Sequence, residues 1–242
     1  MQPPTETADS SAPHLDEQTS IFSPIYQVTE NHQPTENEMK ILVVYYSLYG
    51  HTFQLAKAVK EGAESVKGAE VLFRRVEEFE VVLKKTEGDA YLSQVREQQK
   101  EIPVCTLDDL READGVIFGS PTRYGNMTAQ MKQLIDSTGT LWLKGEMEGK
   151  PAGVFTSTAS THGGQETTLL TMMVPLLHLG MLIVGVPYSL EGMIHTQARG
   201  GTPYGASMIA GPQGELQPTP EDLNIARALG RRVAEVTQKV RG

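Results

Sequence analysis

One cysteine, one tryptophan and no lysine or arginine before Lys40: these shortages bound the chain before any motif does. A lone Cys105 excludes an internal disulfide and any cysteine-cluster metal site. Its setting, Ile102-Pro-Val-Cys-Thr-Leu-Asp-Asp109, reads as a loop entering a helix, and the thiol reads as structural. No apolar run approaches the ~18 residues of a membrane span. The N-terminus lacks the basic region and apolar core of a secretory signal. The expectation is a cytoplasmic protein. Positive charge is also scarce where nucleic acid would need it. The formal net charge is −9 over 242 residues, and residues 1–38 hold seven of the acids (Glu6, Asp9, Asp16, Glu17, Glu30, Glu36, Glu38) with no base. Setting those seven aside leaves about −2 for the rest, with no basic stripe to steer a duplex. Nucleic acid is not an expected partner.

What is present begins at residue 39. Residues 1–38 are rich in Pro, Ser, Thr, Glu and Gln without periodicity, and read as a disordered acidic tail. Residues 39–242 then alternate between apolar runs and helical periodicity. Strands are expected at 41–46, 69–75, 114–119, 152–156 and 181–184. Helices are expected at 53–66, 107–113, 126–137 and 166–179, with a last one opening at Thr219-Pro220-Glu221-Asp222, an N-cap followed by proline and acids. Its core stripe is Leu229, Val233, Val236 and Val240. Residues 76–106 read as a charged insertion with local helix, and 185–214 as a Gly-rich connection. This order predicts a doubly wound α/β fold: five parallel strands with helices on both faces, and ligands beyond the strands' carboxyl ends.

The most informative stretch is Lys40-Ile-Leu-Val-Val-Tyr-Tyr-Ser-Leu-Tyr-Gly-His-Thr52. A buried strand ends in a hydroxyl-bearing loop and a helix N-terminus, where free N–H groups and the helix dipole favour an anion. Ser47 and Thr52 can add donors, and Gly50 lets the backbone close. The loop lacks the Gly-Lys-Ser/Thr of a nucleoside-triphosphate site and the three spaced glycines of a dinucleotide fingerprint. It fits a terminal monoester phosphate, as in flavodoxin-like FMN sites; taken alone it fits an ordinary strand-to-helix turn equally well.

The doubly wound rule supplies a test, since the loops after strands three and four should carry ligand chemistry too. They read Ser120-Pro-Thr-Arg-Tyr-Gly-Asn126 and Ser157-Thr-Ala-Ser-Thr-His-Gly-Gly164. The first offers a planar aromatic, Tyr124, to lie along an isoalloxazine; the second offers hydroxyls and two glycines for close backbone approach. Three such loops on one rim favour a flavin.

These segments, with Leu141-Trp142, His162-Gly-Gly-Gln-Glu166 and Arg199-Gly-Gly-Thr-Pro-Tyr-Gly-Ala206, resemble the WrbA family of FMN-dependent NAD(P)H:quinone oxidoreductases, from residue 39 to the C-terminus. The resemblance implies a flavodoxin-like fold with an insertion, a homo-oligomer (tetramers in the family) with sites at subunit contacts, and NADH or NADPH as hydride donor to a quinone. It implies that Ser47, Leu48, Tyr49, Gly50, His51 and Thr52 hold the FMN phosphate and that Thr122, Arg123 and Tyr124 contact the flavin. Ser157, Thr158, Ala159, Ser160, Thr161, His162 and Gly163 would line the ring and ribityl side. His178 falls at a flavin-contacting position, Tyr49 at a nicotinamide-contacting one and Trp142 at a quinone-contacting one. Family members often read His-His-Gly where this chain has His178-Leu-Gly180, so one imidazole is missing. On residues alone, His178 on an apolar helix and Trp142 also read as packing, His51 and His162 as plain loop residues, and Arg123 as an ordinary surface cation.

The implied reaction is two-electron and ping-pong, because one flavin face cannot hold both substrates, and it needs no catalytic side chain and no metal. A flavodoxin-type one-electron carrier has the same core and is the alternative. No isolated basic pair marks a 2′-phosphate pocket, so NADH and NADPH both stay open.

Overall fold

The structure is a computed structural model and describes residues 39–194 and 199–242. The tail reading at 1–38 therefore lies outside the described residues. Residues 41–45 are fully buried on both sides, as a central parallel strand requires. They belong to β1 (Met39–Tyr45), which lies between β2 (Ala69–Arg75) and β3 (Gly115–Pro121). β4 (Pro151–Thr158) continues the sheet beyond β3, in the parallel order β2-β1-β3-β4.

The outer position beyond β4 differs from the expected single strand. β5 is only Leu182–Ile183, paired with Pro151 and Ala152. A second piece, β6 (Ala206–Ile209), returns after the Gly-rich connection and pairs in parallel with Phe155 to Thr158. One sheet position is thus filled by two short strands. Gly205 permits this return, since a Cβ there would sit 2.1 Å from the Val154 carbonyl oxygen.

Alternate strand residues feed two cores. Ile41, Val43 and Tyr45 face α1 (His51–Glu64) and α8 (Pro220–Arg241). Leu42, Val44 and Tyr46 face the opposite layer. That layer includes α4 (Leu107–Glu112), α5 (Ala129–Asp136), the unexpected α6 (Gly139–Leu143) and α7 (Gln165–His178). α8 opens on the expected Thr219 cap, as a capping box with Asp222. Of its expected stripe, Leu229 and Val233 are buried and Val236 is partly buried against the same core, whereas Val240 is 52% exposed. The insertion at 76–106 folds into α2 (Glu80–Lys85) and α3 (Ala90–Gln99), the latter capped by the Asp89 side chain. Among the described residues, no helix is long and apolar enough to cross a membrane.

Candidate functional site

The carboxyl ends of β1, β3, β4 and β6 converge on a cavity of about 360 Å³, within the usual size range of a small-ligand site. Its first wall is the loop between β1 and α1. Gly50 caps α1 in a left-handed conformation, φ 87°, with no side-chain cap on the helix. The first-turn amides have no intrahelical acceptor, so they remain available to an anion. Ser47, Leu48, Tyr49, His51 and Thr52 line the cavity around them.

α3 steadies this loop from behind. The Tyr91 hydroxyl donates to the Tyr49 carbonyl at 2.8 Å, and Gln99 Nε2 donates to the Ser47 carbonyl at 3.2 Å. The insertion thus satisfies two carbonyls of this loop from α3.

The second wall follows β3. Pro121, Thr122 and Arg123 line the cavity. Tyr124 and Gly125 form the middle of a tight turn, closed by Arg123 N donating to the Asn126 carbonyl at 2.7 Å and the return bond at 3.0 Å. Both central residues have positive φ, 54° and 78°, the signature of a primed turn. For a tyrosine that backbone costs about 1 kcal/mol or more, and it leaves the phenol ring fully exposed beside the cavity rather than lining it.

The third wall is the end of β4. Ser157, Thr158 and Ala159 line the cavity, and Ser157 Oγ meets Thr52 Oγ1 at 2.8 Å, tying the third wall to the first. Ser160, Thr161, His162 and Gly163 continue the same loop outside the lining. A Cβ on Gly164 would lie 2.8 Å from the Gly125 Cα, so the second and third loops touch backbone to backbone.

A fourth wall, Ala210-Gly-Pro-Gln-Gly214, had no counterpart among the sequence-derived residues. It follows β6 directly, and His51 Nε2 donates to its Gly214 carbonyl at 3.1 Å. Its only sequence signal is a Gly-Pro pair closing a Gly-rich stretch, and that pair gains meaning only once β6 is recognised.

His178 and Trp142 lie elsewhere. They share a separate pocket of about 650 Å³ between α5, α6 and α7, with Met127, Ile135 and Pro175. Trp142 is 59% exposed. Within one chain the structure does not bring either residue to the four-walled cavity.

The electrostatics suit an anion. The cavity lining contains Arg123 and His51 and no carboxylate among the described residues, in a chain with 30 acids. Beside it, Tyr46 is buried and donates to Glu78 Oε2 at 2.5 Å, while Gln130 Nε2 donates to Glu78 Oε1 at 2.6 Å. Burial and then Glu78 push the Tyr46 phenol well above its ordinary range, so it stays a donor. The Cys105 thiol is pushed up to about 12 by burial, which leaves it protonated and inert. No group of metal-ligating side chains occurs among the described residues.

Residues 39–196 match the family model described as NADPH-dependent FMN reductase. A protein of Geotalea daltonii called NAD(P)H dehydrogenase (quinone) is 51% identical over 206 residues, 84% of this chain and 98% of that one. One of the same description from Geobacter sulfurreducens is 51% identical over 209 residues, 84% of this chain and 100% of that one. Among solved structures, a WrbA-like flavodoxin from Agrobacterium tumefaciens superposes with a TM-score of 0.56 at 26% identity, covering 84% of this chain and 99% of that chain.

Proposed function

The chain belongs to the NADPH-dependent FMN reductase family, in the WrbA group its motifs mark, and from that premise we propose that it is a cytoplasmic NAD(P)H:quinone oxidoreductase using FMN. The observation that carries the proposal is the four-walled cavity, whose uncapped α1 amides, hydroxyls and absence of carboxylates fit a phosphate monoester on a flat, neutral ring. Ser47–Thr52 would hold the phosphate, and Thr122, Arg123 and Ser157–Gly163 would flank the ring and ribityl chain. Gly125 and Gly164 permit the backbone approach that this needs.

When bound, FMN supplies the redox chemistry, taking a hydride from the nicotinamide and returning two electrons to the quinone in ping-pong order. The overall balance is NAD(P)H, a proton and a quinone giving NAD(P)⁺ and a hydroquinone. The chain's part is binding and orientation. Tyr49, 51% exposed at the cavity edge, is the proposed nicotinamide contact. Tyr124, held outward by its strained turn, is the proposed cover for the ring. Aromatic contacts of this kind add about 0.5–1.5 kcal/mol beyond area burial.

Steady-state oxidation of NADH and NADPH with benzoquinone on FMN-loaded protein tests the proposal, with parallel double-reciprocal lines as the expected result. A one-electron carrier would resist direct reduction by either nucleotide in stopped-flow mixing, and that outcome would overturn the enzyme reading.

We also propose a homotetramer in which Trp142 and His178 reach a neighbour's flavin. The support is an outward apolar row on α7, Leu170, Val174 and Leu177, 40%, 54% and 60% exposed beside Trp142. Val174→Glu should split the assembly in analytical ultracentrifugation. Trp142→Ala should raise the quinone KM or slow the oxidative half-reaction while sparing FMN affinity. Wild-type kinetics in both halves would leave Trp142 as packing.

A further inference from the structure

A third cavity, about 350 Å³, lies on the far side of the first loop and shares Ser47 and Leu48 with the four-walled one. It is built where β2 ends and the insertion begins. Three cations line it: Arg75 at the end of β2, Arg96 on α3, and Lys100 just after α3. Arg96 and Lys100, four residues apart, share a helix face. Arg75 stands before the insertion and the other two late within it, beyond α2, so this cluster exists only in the folded chain.

The two arginines are fixed by neutral acceptors. Arg75 Nε donates to the Ile102 carbonyl at 3.0 Å; Arg96 donates to Thr86 Oγ1 at 2.9 Å and to the Thr86 carbonyl at 3.2 Å. Neither forms an ion pair among the described residues, whereas the neighbouring Arg74 is taken by Asp109. Lys100 pairs with Glu97, an exposed contact that is worth little and easily exchanged. Two carboxylates also line the cavity. Glu78 is occupied by Tyr46, Gln130 and the Phe79 amide, and Glu77 is exposed. Leu48, Leu83 and Val104 supply an apolar flank.

Half-buried guanidinium groups held by neutral partners, with a lysine at the rim and an apolar wall, are suited to a phosphorylated ribose bearing a base. Tyr46 lines this cavity directly before Ser47 and Leu48, which line both it and the four-walled one. We propose that this cavity receives the 2′-phosphorylated adenosine arm of NADPH, with Arg75, Arg96 and Lys100 as the residues that set preference over NADH. An arginine near the adenosine ribose is the general device for that discrimination. The inference rests on the quinone oxidoreductase reading for its turnover test, and has a binding test that does not.

On the FMN-loaded full chain, kcat/KM for NADPH should exceed that for NADH by about ten-fold or more, the effect of charged hydrogen bonds to one phosphate. In the double variant Arg96→Gln, Lys100→Gln that ratio should fall by about ten-fold or more, while Arg96→Lys, Lys100→Arg should keep most of it. Independently of turnover, calorimetric titration should show 2′,5′-ADP binding about ten-fold tighter than 5′-ADP, with the difference lost in the double Gln variant. FMN content and circular dichroism establish that the variants fold; if the double Gln variant does not, the Lys/Arg pair and the wild-type titration still decide. Equal use of both nucleotides by wild type, or equal binding of the two diphosphates, would overturn the proposal. Absence of reduction by either nucleotide overturns the enzyme reading instead, and the titration still judges this pocket.

Discussion

Lys150 carries its ammonium group into the end of the sheet opposite the cavity. Its Nζ donates to the Leu110 and Arg111 carbonyls at 2.9 and 2.7 Å, capping the end of α4. Burial pulls its pKa down to about 8, outweighing the nearby carboxylates Asp114 and Glu146. The unfolded chain therefore holds this proton more tightly than the folded one. Stability rises with pH from about 8 towards the ordinary lysine value of 10.5. Denaturant unfolding from pH 7.5 to 10.5 should show wild type gaining roughly 1–3 kcal/mol relative to Lys150→Met. Parallel curves would refute it. At the other end of the sheet, Thr52→Val leaves Ser157 without its 2.8 Å partner and removes a donor to the proposed phosphate. FMN affinity by fluorescence titration should weaken by about 1–3 kcal/mol. Ser47 and Thr52 were legible in the sequence because their chemistry and their place after a buried strand coincide. Arg75 and the Ala210–Gly214 wall were not, because nothing local separates a guanidinium facing a cavity from one facing water, or a ligand-facing glycine from any other turn.

Whole elements follow the same division. β2 was found to the residue, since Ala69–Arg75 is bounded by a glycine and by the charged insertion. β6 was missed because four residues inside a Gly-rich stretch carry too little periodicity, and only pairing with β4 makes them a strand. α6, five residues long, is held by tertiary contact through the buried Leu141 rather than by its own pattern. The α1–α8 contact shows what two glycines do for a pair of elements. A Cβ on Gly62 would lie 1.9 Å from the Arg227 carbonyl oxygen, and one on Gly230 1.9 Å from that of Val59, so the backbones meet directly. Gly230→Ala must push the helices apart. It should cost about 3 kcal/mol or more and lower Tm by roughly 6–12 °C in calorimetry. Tm within a degree of wild type would mean that the helices slide past the added methyl.

For the whole molecule, doubly wound topology and the flavodoxin-like likeness were legible because alternation of buried runs with amphipathic stretches is a global pattern, tolerant of local misreadings. The acidic tail contributes most of the net charge, which is −9 for the full chain. We propose that it is dispensable for folding. Deleting residues 1–38 should leave FMN content, kinetics and Tm nearly unchanged; loss of the oligomer on sizing would overturn that reading. The truncated chain, near neutrality, should precipitate at lower concentration through weaker mutual repulsion. The divided outer position of the sheet has a consequence for how copies of this chain can meet. An open edge strand is a template on which another sheet can extend. Here that template is broken into lengths of two and four residues, and the opposite edge, β2, ends in Arg74 and Arg75 with Val104 bridged to its last residue. The divided side offers no long uninterrupted row of amides and carbonyls to a stranger, whereas β2 is bridged on its outer side only at Arg75 among the described residues. Sheet extension is thus hindered at the divided edge, while along β2 it is the charged side chains of Glu70, Arg74 and Arg75 that oppose it.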